Sequence, residues 1–481
     1  MGIVNDTLES LHSLLESAEA PCGEECQAII EQAIVLLEQF CVHEVHQPIE
    51  RLKHLGSQLP EKRAQFYHGL LSIFADFGDR HTHCQLPAPF AGKEAFLPFA
   101  VREFFEDGER RLAVMGSAIP ELQRGDILET WNEKPITEIL HKHAAQQLGA
   151  NAEARTAKAI QTLTFRPLGS MHAPESGVIL ETVDSGGKKK RTRLEWQVAG
   201  MAEYFQTFGA LFDMQGFSDE GLRTRTVKTS RGTLFVVQVA SFQSLPRLFL
   251  PAFLKAIEQA SSADGLILDL RGCEEGIIPT AEQLLQLFTT ATIEPQAFQF
   301  RITEPIRRLV STSPDLADWR TAVETAVQQA EQYSFARPLT SIEQANRIGQ
   351  KYCRPIVVLV DALTYSSAEM LAAGFQDHGI APLLGTAPCT GGGGASPWNQ
   401  STICRLSGDE ALRPLPQAPL FRVAVRRNRR VRRYGGQIMQ GVGVAPEIVH
   451  LPTYRDIVDD DTDLLEEAAR ALSMPRDVNI D

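Results

Sequence analysis

The sequence predicts an α/β protein, and three patterns carry that prediction. From about residue 224 onward, short apolar runs alternate with amphipathic segments: TLFVVQVASF, LPAFLKAIEQASS, GLILDLR, PTAEQLLQLF and PIVVLV read as strand, helix, strand, helix, strand. Runs that are apolar at nearly every position, such as GLILDL and PIVVLV, suit strands covered on both faces, as in a parallel sheet with helices on either side. Ahead of this core lies a stretch of short strands separated by turn residues, and ahead of that a run of helices.

In chain order, residues 1–94 form the N-terminal helical region. HSLLESAEA, CQAIIEQAIVLLEQFC and EKRAQFYHGLLSIFADFG each place apolar residues at helical spacing, and Gly78 supplies a stop. Residues 95–198 are β-rich. LPFAVREFF and RRLAVMG flank the turn at Glu106-Asp107-Gly108-Glu109, and VILETV and TRLEWQV close around Asp184-Ser185-Gly186-Gly187. Between these hairpins, GDIL and NEKPI resemble the second half of a PDZ domain, without the carboxylate-binding loop of its peptide-binding members; docking of a peptide by strand addition stays open. Residues 199–223 read as a connector, 224–451 as the α/β core with a polar helical insertion at 303–350, and 452–481 as a tail with the helix DTDLLEEAARALS.

A chain of 481 residues is sized for two or three domains, and 43% hydrophobic with 22% charged residues is a globular composition. The net charge of −13 argues against a general nucleic-acid binder, whose affinity rests on basic surface. No apolar run approaches the roughly 18–20 residues of a membrane span. The opening MGIVNDTLESLHSLLESAEA lacks a basic n-region, and Asp6 stands where a myristoylation start requires Ser or Thr. Eight cysteines without disulfide-framework spacing predict a reducing, cytoplasmic setting, with prior removal of an export signal as the alternative. Cys22 and Cys26, with His43 and His46 after Cys41, allow a metal site to be drawn, but such residues in amphipathic helices are expected in the core or at its rim. The run FRVAVRRNRRVRRYGG, with seven arginines between 422 and 433, reads as an edge strand with a solvated face; selection of an acidic partner or peptide is the alternative.

Chemistry concentrates after PIVVLV, in DALTYSSAEMLAAGFQDHG. Taken alone, Ser366-Ser367-Ala368-Glu369 is a capping box, Ser366 bonding to the helix N-terminus and Glu369 reaching back. The same position suits a nucleophile. A serine at a helix start just past a buried strand lies where free N–H groups and the helix dipole stabilise an oxyanion.

PIVVLVDALTYSSAEMLAAGFQDHGIAPLLG resembles the active-site stretch of the tail-specific, or C-terminal-processing, serine peptidases; GLILDLRGCEEG is similar to that family's Leu-Asp-Leu-Arg-Gly-Asn-x-Gly-Gly, and GVGVAPEIVHL to its Gly-Val-x-Pro-Asp. The resemblance implies a crotonase/Clp-protease-like core, a serine endopeptidase activity on peptide or unfolded-protein substrates, and no cofactor. It makes Ser366 the nucleophile and the backbone N–H groups of Ser367 and Gly276 the oxyanion hole, with Glu275 replacing the family's first glycine. Many members carry a lysine base after the serine helix; here that position is Gly391, within the glycine run 391–394 that is expected to be a substrate-side loop. The histidine-type branch takes its base instead from an Asp-x-His segment after the N-terminal helices, which in this chain is Asp79-Arg80-His81. His81 is therefore the expected base, and the unperturbed imidazole pKa of about 6.5 suits proton transfer at neutral pH. A glutamate that orients the histidine in this branch is replaced by Gln440, which predicts a slower enzyme or one that borrows a carboxylate such as Glu447 or Asp79. Asp377 is expected to be structural. Two rivals stand beside this reading: a peptide-binding scaffold that has lost its chemistry, and a metal-dependent hydrolase using His81 and His83 on HTHC. Self-association is left open.

Overall fold

The computed structural model describes residues 9–17, 21–60, 63–208 and 216–473. Its centre is a six-stranded sheet in the order Leu222–Thr229, Gly232–Val239, Gly265–Asp269, Ile356–Val360, Leu383–Gly385, Ile448–Val449. The first pair is antiparallel and the rest are parallel. The period of two sorts its side chains onto two buried faces. Leu234, Val236, Ile267, Val357, Leu359 and Leu384 pack on Leu464 and Ala468 of the Thr462–Leu472 helix. Leu266, Leu268, Val358 and Val360 face the other way, in one cluster with Phe249 and Phe253 of the Pro246–Ala260 helix and Leu371 and Phe375 of the Ser367–Asp377 helix. Burial on both faces is why these strands read as unbroken apolar runs, each side chain adding about 1.5–3 kcal/mol.

A second sheet holds the arginine run. The Leu420–Arg429 strand pairs with Ala395–Asn399, Ala297–Phe300 and His83–Gln85, so it lies inside the sheet and not at an edge. Its arginines are absorbed internally, because a flat guanidinium stacks on aromatic rings as well as pairing with carboxylates. Arg426 lies over Phe300, Trp319 and Trp398, Arg427 over Tyr333, and Arg422 pairs with Glu275.

The β-rich module is an antiparallel sheet in the order Lys189–Glu195, Gly177–Val183, Ile127–Trp131, Glu109–Ser117, Phe99–Glu106. Its hairpin at Asp107-Gly108 has φ values of 52° and 82°, the two left-handed positions a two-residue turn requires. Within the stretch read as a connector, Gln197–Gly200 pairs with Lys93–Phe96 and Met201–Phe208 is helical, while residues 209–215 lie outside the described residues.

The N-terminal helices Gly23–Phe40, His46–Ser57 and Arg63–Ala75 are tied to the arginine-bearing strand. Val42 N donates to Ala424 O at 2.8 Å, and Arg301 Nε donates to Cys41 O at 2.7 Å. The His83–Gln85 strand docks the segment after the last of these helices onto Leu420–Arg422. Among the described residues, no helix is long and apolar enough to cross a membrane.

Candidate active site

Ser366 stands where the Ile356–Val360 strand turns into the Ser367–Asp377 helix. Asp361 shapes the turn by accepting bonds from Leu363 N, Thr364 N and Gly272 N. At its end Ser366 adopts φ 57° and ψ −125°, a conformation a non-glycine residue holds only when its surroundings enforce it. The capping box is not made. Ser366 has no capping side-chain bond, and Glu369 turns away to accept from the Thr390 hydroxyl and from Gly392 N and Gly393 N at 2.7 and 2.6 Å. Burial raises the Glu369 carboxyl to about 7, against those three donors.

Released from capping, Ser366 Oγ lies 2.9 Å from Nε2 of His81, although 285 residues separate them. His81 is 2% exposed and Ser366 6%. His81 sits in a turn built on Asp79, whose Oδ1 accepts from His81 N at 3.0 Å and Tyr365 OH at 2.9 Å. Asp79 Oδ2 accepts from Thr82 Oγ1 at 2.9 Å and lies 2.9 Å from His43 Nε2. Burial alone would raise the Asp79 carboxyl, but the imidazoles of His43 and His81 hold it well below the usual range. Asp79 Oδ1 is 3.5 Å from His81 Nδ1, and the Tyr365 ring packs on the imidazole with centroids 4.9 Å apart.

The structure leaves Gln440 without a hydrogen bond to His81: Gln440 Oε1 and His81 Nδ1 are both buried and unpartnered. The carboxylate facing the imidazole is Asp79. Glu447, the other carboxylate considered, accepts from Gln376 Nε2 and Leu383 N instead.

Around the serine, Tyr365 N donates to Cys273 O at 3.0 Å and so ties the loop after the Gly265–Asp269 strand to the Ser366 turn. Ser367 is the first helical residue, one of the positions whose N–H has no partner within the helix. Gly276 pairs with Phe242, and a Cβ there would lie 2.2 Å from Phe242 Cβ, so only glycine fits. Glu275 does not crowd this loop: its carboxylate reaches Arg422 at 3.1 Å and Gln243 Nε2 at 2.9 Å. The glycine run 391–394 lies against Tyr365, with two of its N–H groups held by Glu369.

His83 does not join His81; its Nδ1 lies 2.8 Å from Arg80 O. Among the described residues, no three His, Cys, Asp or Glu side chains are grouped to hold a metal ion. Asp377 is in a buried ion pair with Arg430. A cavity of about 160 Å³ opens beside the pair, lined by Leu71, Phe74, His81, Lys158, His172 and Tyr365 among others. Sequence reasoning missed Tyr365 and His43. Tyr365 was signalled only by its place beside Ser366, and nothing in the pattern around His43 pointed toward Asp79.

No curated protein matches the chain. Residues 234–450 match the profile of peptidase family S41. Among solved structures, mature CPAF complexed with lactacystin is similar at a TM-score of 0.70 and 17% identity, covering 93% of this chain and 98% of that one. A crystal structure of mature CPAF is similar at 0.70 and 16%, covering 92% and 96%. At these identities the likeness concerns the fold. Residues 234–450, a little under half of the chain, thus carry the profile of peptidase family S41, which supports a serine-type peptidase similar to the tail-specific and C-terminal-processing proteases.

Proposed function

We propose that this peptidase is an endopeptidase that works through an acyl-enzyme, with Ser366 as nucleophile and His81 as general base. The observation that carries the reading is the 2.9 Å contact between Ser366 Oγ and His81 Nε2, made by two buried side chains 285 positions apart in the chain. In this scheme Nε2 takes the hydroxyl proton as Oγ bonds to the scissile carbonyl carbon. The oxyanion is held by the N–H groups of Ser367 and Gly276, and His81 returns the proton to the leaving amine. Water, deprotonated by the same imidazole, then releases the acyl group. Asp79 supplies negative charge 3.5 Å from Nδ1, which stabilises the imidazolium. Gln440 supplies a neutral acceptor in place of the glutamate that the resemblance leads one to expect, and its Oε1, like Nδ1 of His81, is buried without a partner.

The substrate is a peptide or an unfolded protein. The core is read as crotonase/Clp-like, supported by nucleophile and glycine loop lying past the carboxyl ends of adjacent parallel strands. The β-rich module is read as PDZ-like, supported by its antiparallel sheet and the Ile136–Ala144 helix.

A fluorophosphonate probe tests the chemistry. Covalent labelling of Ser366 that disappears in H81A and S366A is expected. A folded wild-type protein that hydrolyses no peptide in a diverse library and takes no label would refute the reading and favour a scaffold. Lactacystin, the compound in complex with mature CPAF, serves as a second probe.

A further inference from the structure

We infer that His43 is a positioning residue for the Ser366–His81 pair, acting through the Asp79 carboxylate. This rests on the proposed roles of Ser366 and His81. A carboxylate offers about four lone-pair sites, two on each oxygen. At Asp79 all four are in use: Oδ1 takes His81 N and Tyr365 OH, and Oδ2 takes Thr82 Oγ1 and His43 Nε2. No site remains for a short bond to His81 Nδ1, which accordingly lies at 3.5 Å and is unpartnered. Asp79 therefore works on the imidazole as a fixed charge, and where that charge sits is set by its four donors.

Two of those donors belong to the Asp79–Thr82 turn itself and one to the residue before the serine. His43 comes from elsewhere, the loop between the Gly23–Phe40 and His46–Ser57 helices. Its place is fixed by the core. Ala424 O accepts from Val42 N at 2.8 Å, and Ala424 N donates to Thr82 Oγ1 at 3.1 Å, so one residue of the arginine-bearing strand locks both the His43 loop and the His81 turn. His43 is 19% exposed at its side chain and Asp79 is 0%, so the imidazole closes the solvent side of a buried anion. With an apolar side chain in its place, Oδ2 loses a donor and stays covered, and the carboxylate is free to turn away from Nδ1 or to take up a proton. His43 does not line the cavity beside His81, so its removal acts on the proton-transfer step and leaves substrate binding alone.

The test compares H43L with H43Q, whose side-chain amide keeps a donor long enough to reach Oδ2. H43L is expected to label with fluorophosphonate and to turn over peptide about 10-fold or more slowly, from the loss of a hydrogen bond to a charged group, with KM unchanged. H43Q is expected to recover most of the rate. Equal loss in H43L and H43Q, a raised KM with unchanged kcat, or H43L within about 2-fold of wild type would each overturn the proposal. If H43L melts too low to assay, H43N against H43Q gives the same contrast, because asparagine is one methylene short. S366A and H81A are run alongside: rates that survive those substitutions sink the reading of the active site, whereas loss there without loss in H43L sinks only the role of His43.

Discussion

Placing a lysine at position 391 puts back the base that the lysine-type members of this family carry, and the structure says the graft fails. A Cβ at Gly391 would lie 2.5 Å from Tyr365 Cδ2, 3.1 Å from Thr364 O and 3.2 Å from Ala362 O. Ordinary carbon contacts are about 3.5–4.0 Å, so the ring would have to retreat by about 1 Å. It has nowhere to go: Tyr365 is 1% exposed, and on the glycine loop a Cβ at Gly393 would already lie 2.3 Å from its Cζ. Overpacking of this kind costs about 1–3 kcal/mol, and a lysine adds the desolvation of an ammonium at a buried position. The displacement also reaches the chemistry, because Tyr365 OH donates to Asp79 Oδ1 and its chain neighbour is Ser366. Thermal melting and hydrolysis of a quenched peptide library read both effects. G391A is expected to melt several degrees below wild type, at about 2–4 °C per kcal/mol for a domain of the core's size, and to lose activity. G391K in an H81A background is expected to recover nothing. Ser366-dependent hydrolysis by that double variant above H81A alone, or G391A melting with the wild type, would refute the packing argument.

Two further outcomes follow from the same geometry. Q440E places a formal charge on an acceptor that is buried without a partner, and should raise kcat; an unchanged or lower rate counts against the Gln440 assignment. Stability should fall as pH rises from about 5 to about 8. Burial raises the carboxyls of Glu282 and Glu369 from 4.5 to about 7, Glu282 against bonds from Thr340 and Gln296 and Glu369 against those from Thr390, Gly392 and Gly393. Between those values the folded state binds more protons than the unfolded one, so their stabilisation is present near pH 4.5 and lost by about pH 7. Asp79 acts oppositely, its carboxyl lying below the usual range, so its contribution is lost only as pH falls below about 4. A melting temperature that climbs from about pH 5 to about pH 8 contradicts the burial argument for the two glutamates.

The parts of the fold that depend on local pattern were legible in the sequence. GLILD and IVVLV read as strands because each residue is covered from one side or the other, and the Asp107-Gly108 turn was readable because few residue pairs tolerate two left-handed positions. The serine turn was legible only as an ambiguity. Ser-x-x-Glu fits a cap and a nucleophile equally, and what separates them is where Glu369 points, which depends on Thr390 and the glycine run more than twenty residues away. The arginine strand was misread as an edge because charge alone signals solvent, while the rings that absorb it, Phe300, Trp319, Tyr333 and Trp398, come from distant segments. His43 and the filled valences of Asp79 were illegible for the same reason: a hydrogen bond spanning 36 residues between a loop and a turn leaves no periodicity.

The wide separation of residues 81 and 366 has a bearing on how such a chain is made safely. The region that matches the family, 234–450, holds the hydroxyl but not the imidazole, and the imidazole is fastened to it by a strand that ends at residue 429. A growing polypeptide thus emerges with His81 long before Ser366, and the two can meet only once the late-synthesised strand has received the early segment. On the proposed roles, a ribosome-bound product that ends before residue 429 carries the parts without the tool.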